Sequence, residues 1–228
     1  MPDAPNTRFD IASFGELLSD PSRVAMLLSL MHGLTRPASE LAEIAGVTPA
    51  TASAHLKRLL NGKLVRVEQL GRHRYFKLAG PSVADALEAI ALYAPPRKQI
   101  RPLDRDRQIF TDARTCYQHL AGKLGVAWFS ALEKQSLIAN GGGGFELSRR
   151  GILRCEKAGF EAAKWPAGKP CLDWTERQSH LGGPLGSLLT QQMLQLNWLA
   201  RHQGGRAVRL TSLGRKRLSG LGVVLPGD

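Results

Sequence analysis

SELAEIAGVTPATASAHLKRLLNGKLVRVEQLGRHRYFKL, Ser39–Leu78, reads as two short helices crossed by a tight turn and followed by a two-stranded hairpin. Leu41, Ala42 and Ala45 recur at helical spacing, which predicts a first helix over Ser39–Ala45. Gly46 follows where a helix end most often needs positive φ. Thr48 can cap a second helix through its hydroxyl, and Pro49 suits its first position, where no N–H is required. That helix is expected to reach Asn61, with Gly62 as its stop. Ala52, Leu56, Leu59 and Leu60 form its inner stripe. The hairpin is expected as Leu64–Glu68 and His73–Leu78, turned at Gln69-Leu70-Gly71-Arg72.

The outer side of the second helix carries Thr48, Pro49, Ala50, Thr51, Ser53, Ala54, His55, Lys57 and Arg58. Small residues and short polar donors lie at its front and cations behind. A helix entering a major groove needs that layout, because bulky side chains in its first turns would hold the backbone away from base edges. Ser and Thr can bond bases or phosphates, and a Thr methyl can meet a thymine methyl. Lys57 and Arg58 suit phosphate, which fixes register more than sequence. Arg72, His73 and Arg74 sit at the hairpin tip, within reach of a neighbouring phosphate or the minor groove. The plainer reading is a helical hairpin with a solvated polar face.

Asp20-Pro21-Ser22-Arg23, Ser39-Glu40-Leu41-Ala42, the run VTPATASAHLKRLLNGKLV and Gly71-Arg72-His73-Arg74-Tyr75 together resemble the ArsR/SmtB class of bacterial winged-helix repressors. The likeness covers residues from about 10 to 95. It implies a homodimer on a palindromic operator of double-stranded DNA, usually repressing until an inducer arrives. It also implies that the first and last helices of the domain pair across the dimer axis. Sensors of that class often hold metal through cysteines in the first recognition-motif helix or Asp/His pairs on the dimer helix. Neither set is present: Ser39–Ala45 has no cysteine, and Ser82–Tyr93 offers Asp85 and Glu88 with no histidine.

At 228 residues the chain can bury two modest cores. Its 43% hydrophobic and 22% charged content is that of a globular domain, and no apolar run is long enough to span a bilayer. No signal-peptide pattern opens it, and three cysteines, an odd number, make no disulfide framework; a cytoplasmic location is expected. The net charge of +12 favours an anionic partner. It is unevenly spread. Residues 1–95 hold ten Lys/Arg against nine Asp/Glu, so most of the excess lies in 96–228, where it either flanks DNA or keeps the protein in solution.

Taken in order, Phe9–Leu18 predicts an amphipathic helix. Asp20 then caps a second, with Pro21 at its start and Arg23–His32 before Gly33. Arg36-Pro37-Ala38 suits a short edge strand. Pro81 opens a helix over Ser82–Tyr93, whose apolar surface at the edge of a small domain calls for a partner. The fold class expected is mainly α with small β-hairpins: a winged-helix domain over 1–95, a linker or arm over 96–110, and a C-terminal domain over 111–228.

That last domain contains an internal repeat, about 111–165 and 170–222. His119-Leu120-Ala121-Gly122-Lys123-Leu124-Gly125 returns as His180-Leu181-Gly182-Gly183-Pro184-Leu185-Gly186. Leu147-Ser148-Arg149-Arg150-Gly151 returns as Leu210-Thr211-Ser212-Leu213-Gly214. Each copy reads as helix, helix, Gly-rich turn, short strand and a helix capped by Ser148 or Thr211, a tandem of winged-helix-like units. The GGGG run at 141–144 reads as a hairpin tip.

Cys116-Tyr117-Gln118-His119 and the run from Cys171 to His180 each open one copy, and pseudo-symmetry can bring the openings together. Two thiolates and two imidazoles suit a soft or borderline divalent metal. A pocket for a small organic effector, lined by Asp173, Trp174, Glu176 and Arg177, is the competing reading, as is plain structural packing. Cys155, beside Leu153, reads as core. A Cys–His nucleophile pair is the one enzymatic option, and nothing supplies a phosphate loop, nucleophile elbow or paired carboxylates to support it. The expectation is a non-enzymatic, DNA-binding regulator with sensing in the C-terminal domain, against a metal- or thiol-responsive sensor or an effector-independent adaptor.

Overall fold

In the computed structural model, which describes residues 10–70, 73–95, 105–162, 164–202 and 205–225, Asp10 starts α1 (Ile11–Leu18) by accepting from the Ser13 N–H at 3.0 Å. Asp20 caps α2 (Pro21–Leu30) the same way, taking the N–H groups of Ser22 and Arg23 at 2.9 and 3.0 Å. These bonds hold its carboxyl below the usual carboxylate range, the Arg23 N–H most of all. After β1 (Arg36–Pro37) comes α3 (Ala38–Ala45), which ends at Gly46 with φ at +66°, a conformation that a side chain would strain. Thr48 caps α4 (Pro49–Asn61) through the Thr51 N–H at 3.2 Å. The wing is β2 (Val65–Leu70) against β3 (His73–Leu78), with β1 on the outer edge of β3. It runs two residues further along its first strand than expected, since Glu68 faces Tyr75 and Leu70 faces His73. Gly71, Arg72 and the His73 side chain lie outside the described residues.

α2, α3 and α4 pack against one another over Met26, Leu27, Leu30, Leu41, Ala52, Leu56 and Leu59, all buried, and Phe76 closes the core from the wing. The stripe predicted for α4 is thus the buried one, with Leu60 only half covered.

α5 (Pro81–Tyr93) follows, and the chain divides into two compact units within it, Met1–Leu87 and Glu88–Asp228. The expected linker over 96–110 needs correction, because its end is helical: α6 (Arg105–Asp112) buries Phe110 beneath the guanidinium groups of Arg114 and Arg206, 5.0 and 5.8 Å from its ring. A single aromatic between two cations holds this end of the expected linker in place.

In the second unit one order of elements runs twice. The first passage is β4 (Arg114–Cys116), β5 (His119–Ala121), α7 (Gly122–Lys134), β6 (Ile138–Gly141), β7 (Gly144–Leu147) and α8 (Arg149–Ala158). The second is β8 (Lys169–Leu172), β9 (Ser179–Gly182), α9 (Gly183–Gln195), β10 (Leu199–Arg201), β11 (Val208–Leu210) and α10 (Ser212–Gly220). Each passage opens on a β-hairpin where a helix was expected. Runs of three or four residues carry too little periodicity to tell the two apart. Ser148 and Thr211 cap α8 and α10, accepting from Gly151 and Gly214 at 3.0 and 2.9 Å, and the glycine run turns β6 into β7.

The two passages interlock. α7 packs on β9 and α9 on β5. Backbone bridges join Arg114 to Ala207 and Phe145 to Gly168, so each opening hairpin meets the second hairpin of the other passage. One core, with Leu124, Trp128, Leu132, Leu185, Leu189, Met193 and Trp198, serves both. Within each passage a glycine lets the helix sit directly on the end of its own opening hairpin. A Cβ on Gly125 would lie 2.5 Å from the Leu120 carbonyl oxygen, and one on Gly186 2.2 Å from that of Leu181. Gly125→Ala and Gly186→Ala should each destabilise this unit by about 1–3 kcal/mol, since backbone on both sides must give. Urea unfolding followed by tryptophan emission checks this, because Trp128, Trp165, Trp174 and Trp198 are the only tryptophans and all lie here. A midpoint unchanged in both variants would contradict it.

Candidate functional site

α4 divides cleanly into two sides. Ala52, Leu56 and Leu59 are inside; Thr48, Pro49, Ala50, Thr51, Ser53, Ala54, Lys57 and Arg58 are exposed. The Thr48 hydroxyl oxygen serves the cap and lies 2.9 Å from that of Thr51, and the Ser53 hydroxyl donates to the Pro49 carbonyl at 2.9 Å. Their oxygens keep lone pairs for an incoming donor, while the first turns stay smooth and small. Arg74 is exposed on β3, 5.8 Å from the Phe76 ring.

His55 departs from this face. Its side chain is 14% exposed and sits between Asp20, 3.8 Å from Nε2, and the Arg23 guanidinium, 3.4 Å from Nδ1. Arg23 in turn donates to the Glu16 and Leu17 carbonyls that end α1, at 2.6 and 2.8 Å. Asp20, Arg23 and His55 therefore form a bracket that sets α4 against α1 and α2. Its position in the run sets His55 among the outward residues, and although Asp20 is expected as the α2 cap, nothing near it or Arg23 in sequence signals this contact. Nothing in local spacing links positions 32 residues apart.

The openings of the two passages converge. Cys116 lies directly opposite His119 across β4–β5, and Cys171 opposite His180 across β8–β9. The ligating atoms of all four lie within 4.8 Å of one another, and the two Nε2 atoms are 3.1 Å apart. Cys116, His119 and His180 are buried and Cys171 is partly so. A hydrogen bond to Cys171, then burial, pushes the Cys116 thiol up to about 12, and that same bond draws Cys171 down. Cys155 lies apart, buried in α8, where burial raises it to about 12; Leu153 beside it faces outward.

Of the residues read as an effector lining, Asp173 is an internal anchor. Its carboxylate takes the Arg114 guanidinium at 2.7 Å, the Gly122 N–H at 2.8 Å and the Thr175 hydroxyl at 2.7 Å. Burial would raise this carboxyl; Arg114 and those hydrogen bonds outweigh it and bring it to about 2. Trp174 stacks on Arg114, 5.5 Å from ring centre to guanidinium. Glu176 accepts from Thr175 at 3.1 Å. Arg177 caps the end of α5, donating to the carbonyls of Ala91, Leu92 and Ala94. These four thus build local structure, and the Cys–His group is what remains as chemistry. Elsewhere in this unit, α8 and α10 line one groove with Arg154, Lys157, Lys216 and Arg217.

Residues 18–68 match the helix-turn-helix domain family. Over 213 residues the chain is 40% identical to YdfF, an uncharacterized HTH-type transcriptional regulator of Bacillus subtilis strain 168, covering 90% of this chain and 94% of that protein. Among solved structures it is similar to a homodimeric winged helix-turn-helix DNA-binding domain from Mycobacterium bovis, a possible ArsR-family regulator. That likeness has 29% identity over 36% of this chain and 76% of the other, with a TM-score of 0.34. A cadmium metal-sensor from Mycobacterium tuberculosis is 30% identical over 41% of this chain and 96% of the other, with a TM-score of 0.32. Among the described residues no helix is long and apolar enough to cross a membrane.

Proposed function

The chain belongs to the HTH-type transcriptional regulators, and on that premise we propose that it is a homodimeric repressor whose α4 reads an inverted-repeat operator. The observation that carries this reading is the exposed face of α4: small at its N-terminal turns, cationic at Lys57 and Arg58, and backed by buried Ala52, Leu56 and Leu59. Ala50, Thr51, Ser53 and Ala54 approach base edges, and Lys57, Arg58 and Arg74 take phosphate. Thr48 and Pro49 start the helix, and His55 orients it from behind. Ile11, Ile90 and Tyr93, large apolar side chains left 73%, 44% and 91% exposed, support a second copy as their cover. Two copies would set their α4 helices in major grooves about one helical turn apart, roughly 34–36 Å.

The C-terminal unit is the place for a signal. An effector held there acts by favouring a dimer geometry that no longer fits the half-site spacing, a coupling on the order of 1–3 kcal/mol.

The wing is tested by salt. Arg74→Ala should weaken binding to operator and unrelated duplex alike, and should reduce the slope of log affinity against log salt by about one. Fluorescence anisotropy on labelled duplexes across a salt series measures it. A slope equal to that of the native protein removes the wing from the interface.

A further inference from the structure

We propose that Cys116, His119, Cys171 and His180 bind a zinc-class divalent ion in a closed, four-coordinate site that joins the opening hairpins of the two passages. The inference does not require the chain to bind DNA.

The backbone builds the site. Residues directly opposite in an antiparallel pair project from the same face, with Cβ atoms about 4.5–5.5 Å apart. The Cys116–His119 and Cys171–His180 pairs are both of this kind, so each hairpin offers one sulfur and one nitrogen side by side. Because the turns differ in length, the spacings are Cys-x2-His and Cys-x8-His, and no knuckle motif marks the sequence. Interlocking of the passages brings the pairs face to face, with all four donors inside 4.8 Å. In a tetrahedron with metal–nitrogen bonds of about 2.0–2.1 Å, two nitrogens stand roughly 3.3 Å apart. His119 Nε2 and His180 Nε2 are 3.1 Å apart. Gly182 keeps the space open: a Cβ there would lie 3.0 Å from the Cys171 Cβ and 3.3 Å from His119 Nε2.

Chemistry selects the ion. Two thiolates and two imidazoles are soft to borderline donors, and tetrahedral S2N2 is a zinc geometry. Two thiolates neutralise a divalent charge, so the loaded site carries none in a place where charge is costly. Four protein donors leave no open position, which marks a site that holds structure together and not one that activates water. Histidine ligands are usually oriented by a carboxylate on their far nitrogen. His180 Nδ1 is buried without a hydrogen bond and faces the Asp173 carboxylate at 3.5 Å. Asp173 is itself fixed by Arg114 and Gly122, so the partner for that N–H is already in place. On metal binding Cys116 and Cys171 each release a thiol proton to solvent, and Cys116 gives up its 3.6 Å contact with Glu88, which keeps its ion pair with Arg206 at 2.6 Å.

The test uses the full chain, purified under reducing conditions without chelator. Elemental analysis should find a single zinc per chain, and Co2+ loading should give the intense visible bands of tetrahedral cobalt with thiolate charge transfer in the near ultraviolet. Cys171→Ser and His119→Ala should lower zinc affinity against a competing chelator by at least roughly tenfold, whereas Cys155→Ser should leave it unchanged. If the ligand variants do not fold, the cobalt spectrum of the unaltered chain decides. An octahedral spectrum without charge transfer, zinc retained by Cys171→Ser at native affinity, or reduced protein that takes up neither ion overturns the proposal.

Discussion

Asp173→Asn should destabilise the C-terminal unit by on the order of 3–5 kcal/mol, the usual cost of leaving a buried charge without its counterpart. Both side chains of the Arg114–Asp173 pair are all but fully covered, at 1% and 0% exposure, so water cannot replace the lost carboxylate. Asparagine keeps the shape, and its oxygen can still accept from Arg114. Its amide then turns an N–H toward the Gly122 N–H that Asp173 now satisfies at 2.8 Å. Two donors are left facing each other, and the guanidinium keeps an unbalanced charge between Phe110 and Trp174. Because every tryptophan lies in this unit, the emission change in a urea titration reports it without interference from the winged helix. A loss below about 1 kcal/mol, the range of exposed pairs, would mean that the pair is solvated and that Asp173 is no anchor.

The second large effect belongs to α4. Ala54→Glu should lower affinity for the operator by at least on the order of 1–3 kcal/mol, because the position faces outward among residues proposed to approach base edges. The substitution adds bulk where the face is smooth and a negative charge where phosphates would stand. It removes nothing from the core, since Ala54 is exposed, and glutamate is nearly as good a helix former as alanine. Thermal unfolding should therefore match the native protein while operator binding collapses. Equal operator affinity in the two proteins would take this face out of the interface.

The parts of this fold written in local chemistry were legible before any coordinates. Asp20 with Pro21, Thr48 with Pro49, and Gly46 mark helix ends through bonds to residues two or three positions away, and a short window contains the whole cause. The wing and the glycine hairpin tip belong to the same class. What local windows miss is pairing at a distance. Arg114 and Asp173 meet across 59 positions and Asp20 and His55 across 35, and neither partner carries a sign of the other. For the same reason Asp173, Trp174, Glu176 and Arg177 read as a pocket when grouped by sequence, although the fold sets Asp173 and Trp174 on Arg114, Glu176 on Thr175 and Arg177 on the end of α5. The Cys–His openings were legible as a pair of like positions. That each is a β-hairpin with its cysteine opposite its histidine was not, because strands of three or four residues leave too little period to read.

Whether α4 reads DNA as one of a pair is tested most directly by hydroxyl-radical footprinting of the full chain on the DNA upstream of its own coding sequence. The expected result is two protected half-sites, related by inverted symmetry and centred about 10–10.5 base pairs apart or a multiple of that, both lost with Ala54→Glu. A single unpaired footprint, or two that persist unchanged in that variant, would contradict it.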